Sequence, residues 1–417
     1  MEDQLSALRV NPARLHNDFD QLAEIGKSED GGVNRPTFSE SHLKARAWFS
    51  QKIFESGLKF HQDKAGNHSA VLSCGPPDAP NLLLGSHLDS VPNGGRFDGA
   101  LGVLCALEVL RVVDEQGLML PVNLEAIDFT DEEGTVVGLL GSSALSGKLK
   151  TEDLQTPRGG RKALLNGLQR AGLTERDLLE DKRPAERLAG YLEVHIEQGT
   201  KLLKAGAEVG IVTGIVGISS YRLSFSGRAD HAGTMPMEER LDAGQGAAAF
   251  TQSVRRIVLK EFPGCTANVG AMSFIPGAFN IVPERADLSL EVRASDKESL
   301  QRLEARLLTS ARMEADRYGL GLEVQPLGKH QPAPMSELAQ KAIARAAEDL
   351  GLNYIYLASG AGHDAQSLVG LCPCGMIFIP SVGGISHSPR EFSEWKDCLN
   401  GANSLLQAAL QLAFADQ

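Results

Sequence analysis

Histidines, carboxylates or both occur at four separate points of the sequence, each at or just after the end of an apolar run. His87 ends NLLLGSH, and Asp89 and Asp98 follow it closely. The other three groups are DEE at 131–133 after VNLEAIDF, His195 with Glu197 in YLEVHIEQG, and His387 in GGISHSPRE. Converging imidazole and carboxylate groups are ligands for divalent cations, and three adjacent acids in a dry cleft need a cation to neutralise them. The pattern predicts a metal site.

The elements that carry these groups are predicted to be strands of one sheet. Apolar runs alternate with helical patterns such as Ala100–Gln116, which is typical of a mixed or parallel sheet covered by helices. The runs predicted as strands are 81–87, 122–129, 191–196 and the segment around 376–379. In an open α/β sheet, sites form at the carboxyl ends of the strands. We therefore expect the four groups to converge at one edge of the sheet.

A second pattern lies between Gly210 and Gly328, where the composition changes. The predicted elements there are strand 214–226, helix 239–262, strands 266–273 and 285–293, helix 298–318 and strand 321–327. This order, β-α-β-β-α-β, is that of a ferredoxin-like domain. The predicted fold is thus α/β, with a mixed-sheet domain at 1–212 and 329–417 and an inserted ferredoxin-like domain at 213–328. The polar stretch 149–187 is expected to form surface helices and loops.

Composition excludes several classes of protein. A length of 417 residues suggests two or three domains at roughly 100–200 residues each. The formal net charge of −12 opposes binding to nucleic acid. No apolar run approaches the ~18 residues of a membrane span, and MEDQLSALRV lacks the features of a secretory signal, so we expect no membrane association and a cytoplasmic location. The 6 cysteines are too sparse for a disulfide framework, and Cys372 and Cys374 are expected to be structural.

Six motifs together resemble one known family, and the likeness runs from about residue 15 to the end of the chain. The motifs are GSHLDSVPNGGRFDG, DFTDEEG, EVHIEQG, GRADHAGTMPM, FNIVPE and GGISHSPRE. They resemble the amidase, hydantoinase and carbamoylase branch of the M20 metallopeptidase-like hydrolases. That branch includes N-carbamoyl-L-amino-acid hydrolases, bacterial-type β-ureidopropionases and allantoate amidohydrolases.

The resemblance implies two divalent cations per chain, held by the domain at 1–212 and 329–417. Asp98 would bridge both ions, with His87 and His195 completing one ligand set and Glu133 and His387 the other. Ligand sets that mix imidazole and carboxylate suit Zn, Mn, Co or Ni better than Mg.

The resemblance also assigns roles to two acids beside these ligands. Glu132 would be the general base that takes a proton from the bridging water and passes it to the leaving nitrogen. Asp89 would orient the His87 imidazole through its other nitrogen.

Further residues match the family's substrate contacts. Arg293 and Asn280 would bind the substrate carboxylate, and His231 would polarise the ureido carbonyl. Gln198 would contact the carbamoyl group, and Gly360 in SGAGHDAQ would lie near the substrate. His363 in the same motif is expected to have a structural or supporting role. Segment 213–328 would be a lid and would form a homodimer in which His231, Asn280 or Arg293 of one chain completes the other's site.

The function that follows is hydrolysis of a linear ureido C–N bond in a small ureido acid. The leading reaction converts an N-carbamoyl-L-amino acid and water to an L-amino acid, carbon dioxide and ammonia. His195 stands where the peptidase relatives tend to have a carboxylate, which favours ureido over peptide substrates. Allantoate and N-carbamoyl-β-alanine remain alternative substrates, because both pair a ureido group with a carboxylate. A non-catalytic binding protein is the remote alternative, disfavoured because all five ligands and Glu132 are present.

Overall fold

A computed structural model describes residues 5–415 of the chain. The chain divides into two compact units: Gly214–Pro334 forms the inserted unit, and the described residues before and after it form the main unit. The strands are β1 (Lys59–Gln62), β2 (His68–Leu72), β3 (Asn81–His87), β4 (Asn123–Phe129), β5 (Leu188–Ile196), β6 (Val209–Ile215), β7 (Gly217–Ser226), β8 (Thr266–Ile275), β9 (Arg285–Ala294), β10 (Gly321–His330), β11 (Ala333–Pro334), β12 (Tyr354–Ser359) and β13 (Cys374–Ile379).

Helices cover both units. In chain order they are α1 (Pro12–Ala23), α2 (Glu40–Glu55), α3 (Ala100–Glu115), α4 (Leu140–Leu145), α5 (Thr151–Gln155), α6 (Arg161–Ala171), α7 (Glu175–Glu180), α8 (Lys201–Ala205), α9 (Ala243–Glu261), α10 (Lys297–Arg317), α11 (Glu337–Leu350), α12 (Ala365–Leu368) and α13 (Trp395–Ala413). Among the described residues, none of these helices is long and apolar enough to cross a membrane.

The main unit is built on a nine-stranded mixed sheet whose short edge strand β11 ends the inserted unit, and this sheet confirms the expected mixed-sheet α/β fold. Its order is β1-β2-β4-β3-β5-β13-β6-β11, with β12 paired to β6. The four central strands β4, β3, β5 and β13 run parallel, and antiparallel strands flank them. β3, β5 and β13 are almost entirely buried, and the largely buried helices α3 and α13 pack against the sheet. Because parallel strands are covered on both faces, they appear in the sequence as continuous apolar runs.

The inserted unit is a four-stranded antiparallel sheet with two helices. Along the chain its elements run β7-α9-β8-β9-α10-β10, and the sheet order is β10-β7-β9-β8. Residues such as Leu223, Phe225, Phe250 and Leu288 form its own apolar core. β8 and β10 are the edge strands of this sheet.

The structure differs from the sequence-based expectation in three places. The single strand expected at 214–226 is two strands, β6 in the large sheet and β7 in the small one. The sequence hides this break because β-favouring residues continue through it. The stretch 149–187 is not only surface, since Leu154, Leu164, Leu168 and Leu178 are buried in a separate apolar cluster. The helices before residue 60 and strands β1, β2, β11 and β12 were not predicted. All six cysteines are free thiols, and four of them are buried.

Candidate active site

The parallel strands bring three of the four predicted groups to one edge of the large sheet. His87 ends β3 directly opposite Phe129, the last residue of β4, so the acids at 131–133 emerge beside His87. On the other side, His195 of β5 lies opposite Phe378 of β13. The loop after β13 then carries the fourth group, His387. This arrangement follows from the sequence, because the carboxyl ends of adjacent parallel strands lie side by side.

Asp98 lies at the centre of the cluster. Its Oδ1 is 3.0 Å from His195 Nε2 and 3.7 Å from His87 Nε2. Its Oδ2 is 3.4 Å from His387 Nε2, which in turn is 3.6 Å from Glu133 Oε2. The described residues therefore contain two ligand groups that share Asp98, one with His87 and His195 and one with Glu133 and His387.

The chemistry of these groups fits a pair of divalent cations. Two ligand atoms on one tetrahedral zinc ion are about 3.4 Å apart, since each lies about 2.0–2.2 Å from the metal. The separations above bracket that value. Among the described residues, Glu133 Oε1 is buried without a hydrogen-bond partner, which is expected of an oxygen that binds a cation. Gly99 leaves room for the imidazole, because a Cβ there would lie 2.4 Å from His87 Cε1.

The backbone fixes which ring nitrogen of each strand-end histidine faces Asp98. His87 Nδ1 lies 3.0 Å from the carbonyl oxygen of Asp89, and His195 Nδ1 lies 2.9 Å from the carbonyl oxygen of Ile196. An Nδ1–H that donates to these carbonyls leaves Nε2 available as a ligand on both rings. The histidines are thus held in the tautomer that a metal requires.

The pKa values of the cluster show that a positive charge beside its acids is favourable. Burial raises the pKa of Asp98, but hydrogen bonds from His195 and His387 outweigh it and hold that pKa well below its usual range. Burial and the neighbouring Asp98 raise the pKa of Glu133 to about 7. The hydrogen bond to Asp98 raises the pKa of His387 to about 9. The raised pKa values favour protons on Glu133 and His387, which bound cations would displace.

Glu132 lies beside this cluster with different surroundings. Its Oε2 is 3.6 Å from His87 Nε2, and its side chain is 10% exposed. Burial, opposed by His87 and reinforced by Glu133, raises the pKa of Glu132 well above its usual range. A carboxylate with a raised pKa is a stronger base, which suits a group that accepts and then delivers a proton.

Asp89 contacts more than His87. Its carboxylate oxygen is 3.5 Å from His87 Nδ1, farther than its own backbone carbonyl. The same carboxylate accepts hydrogen bonds from the Thr37 hydroxyl at 2.8 Å and from the N–H groups of Glu132 and Glu133, each at 3.3 Å. Asp89 therefore orients the imidazole chiefly through its main chain and tethers the Glu132–Glu133 loop through its side chain.

Asp131 does not take part in the cluster as the three crowded acids suggested. Its carboxylate accepts hydrogen bonds from the N–H groups of Val136, Val137 and Gly138, at 3.0, 2.6 and 2.9 Å. These bonds hold the turn after β4.

Asp131, Gln198 and His387 all have positive φ, at 59°, 55° and 53°. Such backbone strain in non-glycine residues concentrates at functional sites.

The segment SGAGHDAQ, residues 359–366, contacts the cluster through His363. The His363 ring is buried, its Nε2 lies 2.9 Å from Ser359 Oγ, and its centroid is 4.5 Å from that of His195. His363 could also group with Glu193 and His195 as ligands, but the Glu193 carboxylate already accepts from Ser86 and Tyr191. These contacts agree with a supporting role for His363. Gly360 lies exposed just after β12.

In the inserted unit, two of the three predicted substrate residues lie together. The N–H of Ala232 donates to the Asn280 carbonyl oxygen at 3.0 Å, and His231 forms a β-bridge with Ile281. Arg293 instead lies near the far end of β9, opposite Thr266, where its Nε donates to Glu291 at 2.8 Å. The structure therefore separates Arg293 from His231 and Asn280 within one chain.

Sequence reasoning missed two polar residues that contact Asp98 or its main chain. Ser386 Oγ is 3.1 Å from Asp98 Oδ2, and Glu391 accepts the N–H of Asp98 at 3.1 Å. Both stand in GGISHSPRE, the motif that drew attention to His387. Gln198, assigned to the carbamoyl group, donates from Nε2 to Asp98 Oδ2 at 2.9 Å.

Comparisons with known proteins agree with the motifs. The model of the family described as Peptidase family M20/M25/M40 matches residues 83–411. The chain is 37% identical to an N-carbamoyl-L-amino acid amidohydrolase of Geobacillus stearothermophilus, over 97% of this chain and 99% of the relative. It is 29% identical to an allantoate amidohydrolase of Bacillus subtilis, over 94% and 96%. A hydantoinase/carbamoylase family amidase from Burkholderia multivorans superposes with a TM-score of 0.89, at 32% identity over 98% and 99%. The resemblance drawn from the motifs is confirmed: the chain is a hydrolase that belongs to peptidase family M20/M25/M40.

Proposed function

We propose that the protein hydrolyses the ureido C–N bond of an N-carbamoyl-L-amino acid, giving the L-amino acid, carbon dioxide and ammonia. The observation that carries this proposal is Glu132, with only 10% of its side chain exposed, beside two ligand groups that share Asp98. A relative named as an N-carbamoyl-L-amino acid amidohydrolase, 37% identical over nearly the whole chain, supports the choice of substrate.

Two divalent cations, Zn, Mn, Co or Ni, are proposed as cofactors. His87 and His195 would hold one, Glu133 and His387 the other, and Asp98 both. When bound, such ions polarise a carbonyl oxygen and lower the pKa of water. Asp89 keeps His87 and the Glu132–Glu133 loop in place for this task.

Glu132 is proposed to move the proton. Its carboxylate would accept a proton from the attacking water and deliver it to the leaving nitrogen of the ureido group. The raised pKa of Glu132, caused first by burial, supports both halves of this transfer. An amide at this position could do neither.

The substrate would be held by residues of both units. Arg293 and Asn280 would bind its carboxylate, because a guanidinium forms two parallel hydrogen bonds to that group. His231 would donate to the carbonyl oxygen as negative charge develops there. Gln198 would contact the carbamoyl group, and Gly360 would lie near the substrate.

We further propose that segment 213–328 is a ferredoxin-like lid and dimerisation domain on a catalytic domain formed by 1–212 and 329–417. The element order β7-α9-β8-β9-α10-β10 supports the ferredoxin-like description. Edge strand β8 supports the homodimer, since its ten residues, TANVGAMSFI, include no charged side chain. Long uncharged edges invite pairing with another strand, and a two-fold dimer provides one.

The test is a side-by-side turnover assay of the protein loaded with Zn²⁺ or Mn²⁺. The substrates are several N-carbamoyl-L-amino acids, N-carbamoyl-β-alanine, allantoate and an L,L-dipeptide, and released amine and ammonia are measured. We expect the highest kcat/KM on an N-carbamoyl-L-amino acid. Faster turnover of allantoate or N-carbamoyl-β-alanine would reassign the substrate, and faster turnover of the dipeptide would overturn the proposal of a ureido hydrolase.

A further inference from the structure

Glu391 connects the two chain segments that supply Asp98 and His387. The Glu391 side chain is buried, and its Oε1 accepts the N–H groups of Phe97 at 2.9 Å and Asp98 at 3.1 Å. Its Oε2 lies 2.8 Å from the hydroxyl oxygen of Ser386, the residue before His387. One carboxylate thus ties the turn that begins α3 to the loop that follows β13.

The Glu391 carboxylate also determines which acceptor receives the hydrogen bond from the Ser386 hydroxyl. Ser386 Oγ lies within hydrogen-bond distance of Glu391 Oε2 and of Asp98 Oδ2, but a hydroxyl has one proton to donate. When that proton goes to Glu391, Asp98 Oδ2 accepts from Gln198 but not from Ser386, and it keeps its other lone pair for the side facing His387. Without an acceptor at 391, Ser386 donates to Asp98 Oδ2 and competes with a cation there.

Gly95 makes space for the Glu391 carboxylate. A Cβ at position 95 would lie 1.9 Å from Glu391 Oε1, and Gly95 has an ordinary φ that alanine can adopt. The carboxylate is the end of a flexible side chain, so an alanine at position 95 would displace it. This position offers an independent way to break the same contacts without changing Glu391.

We propose that Glu391 is a positioning residue for the cation group formed by Asp98, Glu133 and His387. The proposal rests on the two cation groups of the proposed function. His87 and His195 are oriented by backbone carbonyls near their own strand ends. His387, in contrast, is half exposed on a loop with a positive φ. Loss of Glu391 therefore weakens the group containing His387 more than the group containing His87 and His195, because only Asp98 is common to the two.

The experiment is Co²⁺ binding to the full-length protein, followed by equilibrium dialysis and by the visible absorption of bound Co²⁺. We expect two ions per native chain. In Glu391→Ala, the affinity for the first ion stays within about 3-fold of the native value. The affinity for the second ion falls about 10–100-fold, which is the usual effect of removing a group that supports a ligand. Gly95→Ala shows the same pattern, and the double variant is no weaker than Glu391→Ala because both changes remove the same contacts.

Two more variants distinguish positioning from general destabilisation. Glu391→Gln keeps an oxygen for the Phe97 and Asp98 N–H groups but cannot accept from Ser386, so it gives an intermediate loss of the second ion. Asp242→Asn is the matched control, since the Asp242 carboxylate accepts the N–H groups of Gly244 and Gln245 at the start of α9, in the inserted unit. It binds both ions as the native chain does.

Several results would overturn the proposal. Native binding of both ions by Glu391→Ala and Gly95→Ala refutes a positioning role, as does equal weakening of both ions together with a lower Tm. If Glu391→Ala does not fold, Gly95→Ala and Glu391→Gln decide alone. A native chain that binds fewer than two Co²⁺ shows instead that the cation groups of the proposed function are wrong, and the inference about Glu391 falls with them.

Discussion

Asn280 and Arg293 are proposed to bind one substrate carboxylate, yet they lie toward opposite ends of β9. The loop with Asn280 joins β8 to β9 where Ile275 pairs with Arg285, whereas Arg293 pairs with Thr266 at the other end. From Arg285 to Arg293 the strand advances eight residues, or about 27 Å at about 3.4 Å each. Donors must approach a carboxylate oxygen to about 3 Å. We therefore expect the two side chains at one site to come from different chains of a homodimer.

The perturbation that tests this is a mixture of two inactive variants. Asn280→Ala and Arg293→Ala are each nearly inactive alone, and the two chains are refolded together in equal amounts. Random pairing makes half of the dimers heterodimers. In each heterodimer one of the two sites receives a native Asn280 from one chain and a native Arg293 from the other, so about a quarter of native activity returns.

A matched mixture provides the control. His231 and Asn280 lie at the same end of the small sheet, so His231→Ala with Asn280→Ala should recover no activity. The assay is ammonia release from an N-carbamoyl-L-amino acid, with heterodimers confirmed by mass. No recovery in the first mixture, with heterodimers present, would refute the division of Asn280 and Arg293 between chains.

Three further predictions concern single residues. Arg293→Lys keeps the charge but loses the planar fork, so KM for a carboxylate-bearing substrate should rise about 10-fold or more, while a substrate without the carboxylate is poor but unaffected by the change. Gly99→Ala places a Cβ 2.4 Å from the His87 ring, so it should lower both Tm and Zn²⁺ affinity, and native Zn²⁺ affinity would contradict this. Burial, reinforced by Arg46, lowers the pKa of His68 to about 3. Between pH 6.5 and 3 the unfolded chain thus binds an extra proton, and the free energy of unfolding falls by up to about 1.4 kcal/mol per pH unit as pH is lowered. Urea denaturation at pH 7 and pH 5 should show a smaller decrease in the free energy of unfolding for His68→Gln than for the native protein. An equal decrease would exclude His68 as the cause.

The sequence predicted the parts of the site that depend on strand ends. His87, Glu132 and His195 stand at or just after apolar runs, and parallel pairing places such residues at one edge without further information. The motif after β13 identified His387 in the same way. The order of strands and helices between residues 214 and 330 also follows from alternation and helical periodicity.

Three features of the structure were not predictable from the sequence. Asp131 looks like a third acid of the cluster until the structure shows its carboxylate accepting three backbone N–H groups. Thr37 donates to Asp89 from 52 residues away in the chain, and no local pattern marks it. The break between β6 and β7 is hidden because residues on both sides favour strands. The partner of Asp89 and the partners of β6 and β7 lie far away in the chain, whereas the partners of Asp131 lie in the turn that directly follows it.

The most direct test of the proposed reaction is the turnover of an N-carbamoyl-L-amino acid by metal-loaded native protein and by Glu132→Gln. The amide keeps the volume of Glu132 but cannot accept a proton. We predict equal amounts of L-amino acid and ammonia from the native protein, and a rate about 10²–10⁴-fold lower from the variant at unchanged metal content. Near-native turnover by Glu132→Gln, or no amino acid released by the native protein, would contradict the account.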